Sequence, residues 1–397
     1  MYFHKILFWL AAAVIMMAAA CSKVSGDNPE IKPVPEEYHE FPIVAWTGID
    51  AADAGRKLGP MKDCGFNIYL GWYDTFEEVD MMLKAADSVG VKVITASKNL
   101  LTEPQNEADK LKDYPALYGY FLADEPWDND LQTLGDVASR IRAVDSEHLC
   151  YINLYPNWAW GGVDNYILKL TSYIDKVNPT MISFDFYPIY EQGGKSYVRE
   201  EWFKNLEDVR RVSRAKKIPF WAFALSLAGT DGDKTWPVPT LGELRYQQFA
   251  NLAYGAQGFQ YWTYWGLYHN APTPPYAFAK QVNKDLQILA RYFYGADVTG
   301  VWHYGDEIPY GATKLSTMPL GVKDITFGGP AIISQFENNG KHYLAIVNKN
   351  YKQTMSFSVK FHNTAIKFDS LGYKSEVNET TTELDAGGIV VFNIQQI

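Results

Sequence analysis

What most constrains the fold of this chain is a repeat. Eight short β-rich runs succeed one another: Phe41–Asp50, Gly65–Tyr73, Val91–Asn99, Leu117–Glu125, Leu149–Tyr155, Thr180–Tyr187, Ile218–Leu227 and Gly258–Gly266. Their starts lie 24 to 40 residues apart, which leaves room each time for one helix and two loops. Several runs are apolar without strict alternation, as parallel strands covered on both faces are. The segments between them carry helix signals. Thr75-Phe76-Glu77-Glu78 and Thr240-Leu241-Gly242-Glu243 have the form of capping boxes. Val79, Met82, Leu83 and Ala86 fall on one helical face, and Gly90 stands where that helix should stop. Eight β-then-α units predict an α/β fold, a (β/α)8 TIM barrel spanning residues 41–295. A doubly wound open sheet is the alternative, and the lack of any Gly- and Lys-bearing phosphate loop counts against it.

Past residue 295 the pattern changes to strands alone. Val322–Phe327, Ala331–Phe336, His342–Asn348, Met355–Phe361 and Gly388–Ile394 are separated by turns such as Asn338-Asn339-Gly340. They predict a small antiparallel β-sandwich over residues 296–397.

The N-terminus reads as an address. Residues 1–20 have the layout of a secretory signal: Lys5, then an apolar run from Ile6 to Ala20 that is 15 residues long. A transmembrane helix needs about 20. The run ends in Ala18-Ala19-Ala20-Cys21, which resembles the lipobox of bacterial lipoproteins, with Cys21 as the lipidated residue. Residues 21–40, rich in Pro and acidic side chains, then act as a tether. The expectation is a chain in the cell envelope, on the outer-membrane surface or in the periplasm, held to the membrane by its lipid anchor only.

Composition excludes several functions. A net charge of −10 is the wrong sign for a nucleic-acid binder. Seven scattered His and three Cys form no metal-ligand spacing, so neither a metal nor any other cofactor is expected. Ser226 lies outside a Gly-x-Ser-x-Gly turn, which speaks against a serine hydrolase. Cys64 and Cys150 are the two cysteines of the folded region, and spacing alone does not say whether they pair.

In a (β/α)8 barrel the reacting groups stand at the C-terminal ends of the strands. The polar residues there are few. The fourth run, Gly119-Tyr120-Phe121-Leu122-Ala123-Asp124-Glu125, is apolar until it ends in two carboxylates, and the sixth ends in Asp185-Phe186-Tyr187. Burial and a like-charged neighbour both raise a carboxyl pKa, which keeps a general acid protonated near neutrality. The competing reading is a helix cap at Asp124 with Glu125 complementing the helix dipole. Asn153 and Tyr155 close the fifth run, and Trp46, Trp72, Trp158, Trp262, Tyr264 and Trp265 cluster at or beyond strand ends. Flat rings beside carboxylates and amides suit sugars, which offer C–H faces and hydroxyl edges. Aromatics make up 15% of the chain, and many of the others are expected to be packing.

With Ala123-Asp124-Glu125-Pro126, Phe184-Asp185-Phe186-Tyr187-Pro188 and the segment Ala253 to Trp262, the chain resembles (β/α)8-barrel glycoside hydrolases of the broad retaining superfamily, of the lipoprotein kind found in Bacteroides-like bacteria. That resemblance implies an oligosaccharide or polysaccharide substrate, with Glu125 as acid/base. Two departures stand out: Asp124 replaces the usual Asn, and the seventh run, Trp221-Ala222-Phe223-Ala224-Leu225-Ser226, has no nucleophilic Glu. The adjacent Asp-Glu pair is instead similar to substrate-assisted hexosaminidases, in which the sugar's own acetamido oxygen attacks. By that similarity Asp124 orients the amide, Glu125 protonates the leaving oxygen and Tyr187 holds the acetamido group. The alternatives are a two-carboxylate glycosidase using Asp185, and a non-catalytic glycan-binding lipoprotein.

Overall fold

The computed structural model describes residues 40–368 and 374–394. The expectations for the signal, the Cys21 lipid and the tether up to residue 39 lie outside the described residues. Among those described, no helix is long and apolar enough to cross a membrane.

The chain begins as predicted, with β1 (Ile43–Trp46), α1 (Ala54–Asp63), β2 (Ile68–Tyr73), α2 (Phe76–Val89), β3 (Lys92–Ser97), α3 (Pro104–Leu111), β4 (Leu117–Asp124), α4 (Leu131–Arg142), β5 (Leu149–Leu154), α5 (Tyr166–Val177) and β6 (Ile182–Phe184). Two elements then appear that were not anticipated. A hairpin of β7 (Ile189–Gln192) and β8 (Lys195–Val198) precedes α6 (Glu201–Lys216). After β9 (Phe220–Leu225) comes a second hairpin, β10 (Gly229–Asp231) and β11 (Lys234–Trp236), before α7 (Leu241–Ala253). The barrel ends with β12 (Gly258–Trp262), a one-turn α8 (Tyr264–Leu267) and α9 (Tyr276–Phe293). The eight parallel strands close in the order β1-β12-β9-β6-β5-β4-β3-β2, and the two hairpins join in a sheet of order β10-β11-β7-β8.

Local chemistry explains most of this. Both capping boxes form: Thr75 Oγ1 accepts from the Glu78 N–H at 3.2 Å, and Thr240 Oγ1 from that of Glu243 at 3.3 Å. Gly90 ends α2 at φ 68°, a left-handed conformation natural to glycine. Some strands stop earlier than their sequences suggested. β1 ends at Trp46 because Thr47 and Gly48 turn to positive φ, and β12 ends at Trp262 instead of Gly266. High β propensity in Tyr264 and Trp265 made that run read as one strand, but the chain leaves the barrel at Thr263 and closes a helical turn. The Trp262–Thr263 peptide is cis.

The C-terminal region is a β-sandwich-like domain built from one curled antiparallel sheet. Its strands are β13 (Asp297–Tyr304), β14 (Val322–Phe327), β15 (Ala331–Asn338), β16 (Lys341–Asn348), β17 (Met355–Phe368), β18 (Lys374–Leu384) and β19 (Ile389–Ile394). β17 pairs with β14 through its first half and with β19 through its second, and its register breaks between Lys360 and Ala365, so the sheet folds over itself. Alternation along β15 and β16 then serves two cores. Ile332, Phe336, Tyr343, Ala345 and Val347 join the barrel's helix layer, while Ile333, Leu344 and Ile346 meet Phe357 and Phe392 inside the curl. This docking explains why α7 is buried nearly all round. Gly242, its second residue, sits so close to the loop after β16 that a Cβ there would lie 2.2 Å from the Tyr351 carbonyl oxygen.

Cys64 and Cys150 are free and buried. Cys64 packs under Tyr276, and Cys150 packs against α4.

Candidate active site

At the C-terminal mouth of the barrel is a cavity of about 420 Å³, within the range of small-molecule sites. The predicted residues Asp124, Glu125, Asn153, Asp185 and Tyr187 line it, with Trp46, Trp158 and Trp262 among its aromatic walls. A larger hollow of about 930 Å³ lies at the opposite end, between the end of α6 and the start of β13. Its main cations are already engaged, Arg214 with Asp297 and Arg210 with Glu207, and it holds no converging carboxyls.

The carboxyls are positioned by a buried polar network. Asn153 on β5 donates from Nδ2 to Asp124 Oδ1 at 3.0 Å. Its own Oδ1 accepts from Ser183 Oγ on β6 at 2.9 Å. Ser183 Oγ in turn receives Gln260 Nε2 from β12 at 2.8 Å, and Gln260 Oε1 accepts from the Trp46 indole at 3.0 Å and from the Tyr151 hydroxyl at 2.6 Å. Four barrel strands thus fix which face of Asn153 meets Asp124. A network this fully bonded resists rotamer change and holds the carboxylate still.

Glu125 follows directly, where β4 ends. Its N–H bonds to the Asn153 carbonyl at 2.9 Å, yet its φ is +49°. A left-handed backbone costs a residue with a Cβ about 1–2 kcal/mol, and strain of this kind gathers at functional sites.

Electrostatics sets these groups apart from surface carboxylates. Burial pushes the Asp124 carboxyl up, partly offset by the Asn153 hydrogen bond. Burial and then the Asp124 charge push Glu125 up, while a hydrogen-bonding contact with Asp185 opposes them. Asp185 is driven well above the carboxylate range by burial first and then by the Glu125 and Asp124 charges. Its buried Oδ1 has no hydrogen-bond partner. Burial likewise raises the Tyr187 hydroxyl, which lies against Asp185. All three carboxyls are thus shifted in the same direction, toward tighter proton binding.

A folded-state pKa above the unfolded value means that the native state binds the proton more tightly. The stabilisation is whole below the unfolded pKa, about 3.9 for Asp, and is lost as pH rises toward the folded value. Replacing Asp185 by Asn should therefore raise stability at pH 7, by about 0.5–2 kcal/mol, the usual size of one stabilising substitution. The gain should vanish at pH 3. Urea melts at both pH values test this, and an equal gain at both would assign the effect to packing.

Other predicted binding residues stand elsewhere. Trp72 is exposed and stacks on Phe121 at 5.1 Å. Tyr155 packs against Trp127 at 4.8 Å, on the rim beside the cavity. Trp265 is also exposed and lies edge-on to His269. Tyr264 is fully buried, its hydroxyl donating to the Lys57 carbonyl, so it points into the helix layer and away from the mouth. The sequence reading missed Arg199, Lys234 and Trp236, which form one cavity wall from the two hairpins, and Phe223 on β9. The adjacent glycines Gly193-Gly194, both at positive φ, were the available signal for the first hairpin.

No family model matches this sequence, and no curated protein matches it. Among solved structures, a candidate α-galactosidase from Bacteroides fragilis covers 90% of this chain and 79% of its own, at 11% identity and a TM-score of 0.51. A candidate α-L-fucosidase from Bacteroides thetaiotaomicron covers 65% of this chain and 99% of its own, at 10% identity and a TM-score of 0.49. A β-galactosidase from the psychrophilic Marinomonas ef1 covers 62% of this chain and 60% of its own, at 9% identity and a TM-score of 0.47. At such identities the likeness is one of fold. In the first case it extends past the barrel into the C-terminal sheet.

Proposed function

We propose that this protein is a glycoside hydrolase acting on N-acetylhexosamine-containing glycans, endo-acting and by substrate-assisted retention, with Glu125 as general acid/base. The observation that carries this is the Asp124–Glu125 pair itself: two adjacent carboxyls pushed upward at the end of β4, the second on strained backbone, in an aromatic-walled cavity. Barrels host many chemistries, so the site and not the fold must bear the weight. The Bacteroides fragilis neighbour, described as a candidate glycosidase, is consistent in class.

In the proposed first step the 2-acetamido carbonyl oxygen of the sugar bonds to its anomeric carbon while the glycosidic C–O bond breaks. The Glu125 proton goes to the departing oxygen. Asp124 accepts the amide N–H and stabilises the positive charge that develops on the resulting ring, and Tyr187 steadies the acetamido group. In the second step the Glu125 carboxylate takes a proton from water, whose oxygen attacks the anomeric carbon and reopens the ring with net retention.

Two features favour this over a pair of enzyme carboxylates. The seventh barrel strand, β9, ends in Leu225, and Ser226 after it spends its hydroxyl on the Thr263 carbonyl. Asp185 is pushed well above the carboxylate range by burial and by the Glu125 and Asp124 charges, which disfavours the ionised form that a nucleophile needs. The same proposal takes the chain to be a lipoprotein of the cell envelope, anchored through Cys21.

The test is product release from aryl N-acetylhexosaminides and N-acetylhexosamine glycans, with calorimetry of a thiazoline inhibitor. Turnover and tight thiazoline binding are expected. Turnover only of sugars without an acetamido group, with no thiazoline binding, would favour a mechanism using Asp185. Glycan affinity without product would make this a binding protein.

A further inference from the structure

The hairpin wall of the cavity offers donors and no acceptors. Arg199, just past β8, lies with its guanidinium carbon 4.1 Å from the centre of the Trp158 ring. Its side chain is 15% exposed, and its nearest carboxylate, Glu201, stands at 3.9 Å, beyond hydrogen-bond reach. Lys234 and Trp236 are two apart on β11, so they face the same way. Lys234 Nζ lies 5.3 Å from the centre of the Tyr190 ring, and among the described residues it has no ion pair. The buried Trp236 Nε1 has no hydrogen-bond partner. All three residues line the cavity that holds the carboxyls.

Packing on aromatic rings accounts for where the two cations sit, but among the described residues no acceptor lies within hydrogen-bond distance of their side-chain N–H groups. A guanidinium held flat on an indole presents its in-plane N–H fork outward, a shape that fits a carboxylate or an oxyanion in bidentate fashion. In a chain of net charge −10, an acidic ligand gains nothing from the overall field, so its affinity must come from local cations. Neither cation is among the groups that shift Asp124 or Glu125. The cavity thus has two sides, a floor of carboxyls and a wall of cations.

We infer that this wall is an anion subsite, formed by Arg199, Lys234 and Trp236, which selects glycans bearing a carboxylate or a sulfate ester next to the cleaved sugar. The inference rests on the glycosidase reading and adds to it the chemical class of the substrate.

The experiment uses the full chain carrying Glu125→Gln, so that probes bind without turnover. Calorimetry would compare hyaluronan oligosaccharides, whose charge is a uronate, keratan sulfate oligosaccharides, whose charge is a sulfate, and neutral chitooligosaccharides. At least one acidic probe should bind tenfold or more tightly than the neutral one, with an affinity that falls as salt is raised. Which probe does so identifies carboxylate or sulfate. Adding Arg199→Gln or Lys234→Gln should weaken binding of the acidic probe at least tenfold more than binding of the neutral one, while Arg199→Lys, which keeps the charge, should retain part of the preference. Equal affinity for acidic and neutral probes, or an equal loss for both in the variants, overturns the subsite. Turnover of chitooligosaccharides by the wild-type chain and not by the Glu125→Gln chain would still uphold the glycosidase reading in that case. Failure of every probe to bind, together with no turnover by the wild type, overturns both readings.

Discussion

Glu125→Gln is expected to lower kcat on glycans by about 10²–10⁴-fold, the usual contribution of a positioned general acid. The loss should shrink on substrates with a strongly acidic phenol as leaving group, because such a group departs without a proton. That gradation separates loss of proton donation from general damage to the pocket. Gln keeps the shape of the side chain and removes a charge whose burial is unfavourable, so the melting temperature should not fall. Steady-state kinetics on a series of aryl glycosides checks the prediction. Unchanged hydrolysis across the series would rule Glu125 out.

The second large effect is expected at Asp124. Asp124→Asn should cut turnover of N-acetylated substrates by about 10²–10³-fold, the scale seen when one preorganised electrostatic partner is removed. It should also move the pH profile. A general acid works while protonated, so kcat/KM falls as pH rises through its pKa in the free enzyme. The Asp124 charge helps hold Glu125 up, so removing it should shift that descending limb to lower pH. Asn can still accept the Asn153 hydrogen bond, which leaves the network in place. A limb that stays put would mean Glu125 does not feel Asp124. An equal loss on substrates without an acetamido group would assign Asp124 a general electrostatic role in place of amide orientation.

The barrel was legible in the sequence because two independent signals agreed. β-rich runs recurred at helix-plus-loop spacing, and capping boxes marked helix starts at Thr75 and Thr240. Which residues share the cavity was legible where strand ends could be counted. Asp124, Asn153, Asp185 and Trp262 fall within one residue of the ends of β4, β5, β6 and β12, and the barrel's closure brings them together. Reading failed where spacing has two solutions. Gaps of 38 and 40 residues admit a helix with long loops as readily as a hairpin plus a helix, and the hairpins carry Arg199, Lys234 and Trp236 into the cavity wall. It failed again at Tyr264, where aromatic β propensity hid a change of direction that tertiary closure imposes. The β13 and β18 strands escaped notice too. β18 lies mostly at the exposed edge of the sheet and lacks a buried face to give it apolar alternation.

The docking of the curled sheet on α7 has an evolutionary side. Ser334 reaches across to the last carbonyl of α7 at 2.7 Å, and Phe336 stacks on Phe293 of α9 at 4.0 Å. On α7 itself, Gln247 reaches inward to cap the Leu225 N–H at the end of β9. A lineage cannot discard this sheet as it would a tethered accessory module. Losing it would bare the apolar side of α7, a helix bonded directly to a strand of the barrel. The two regions should therefore be inherited, duplicated and recombined as one heritable block, with any breakpoint for shuffling falling outside the span from β1 to β19.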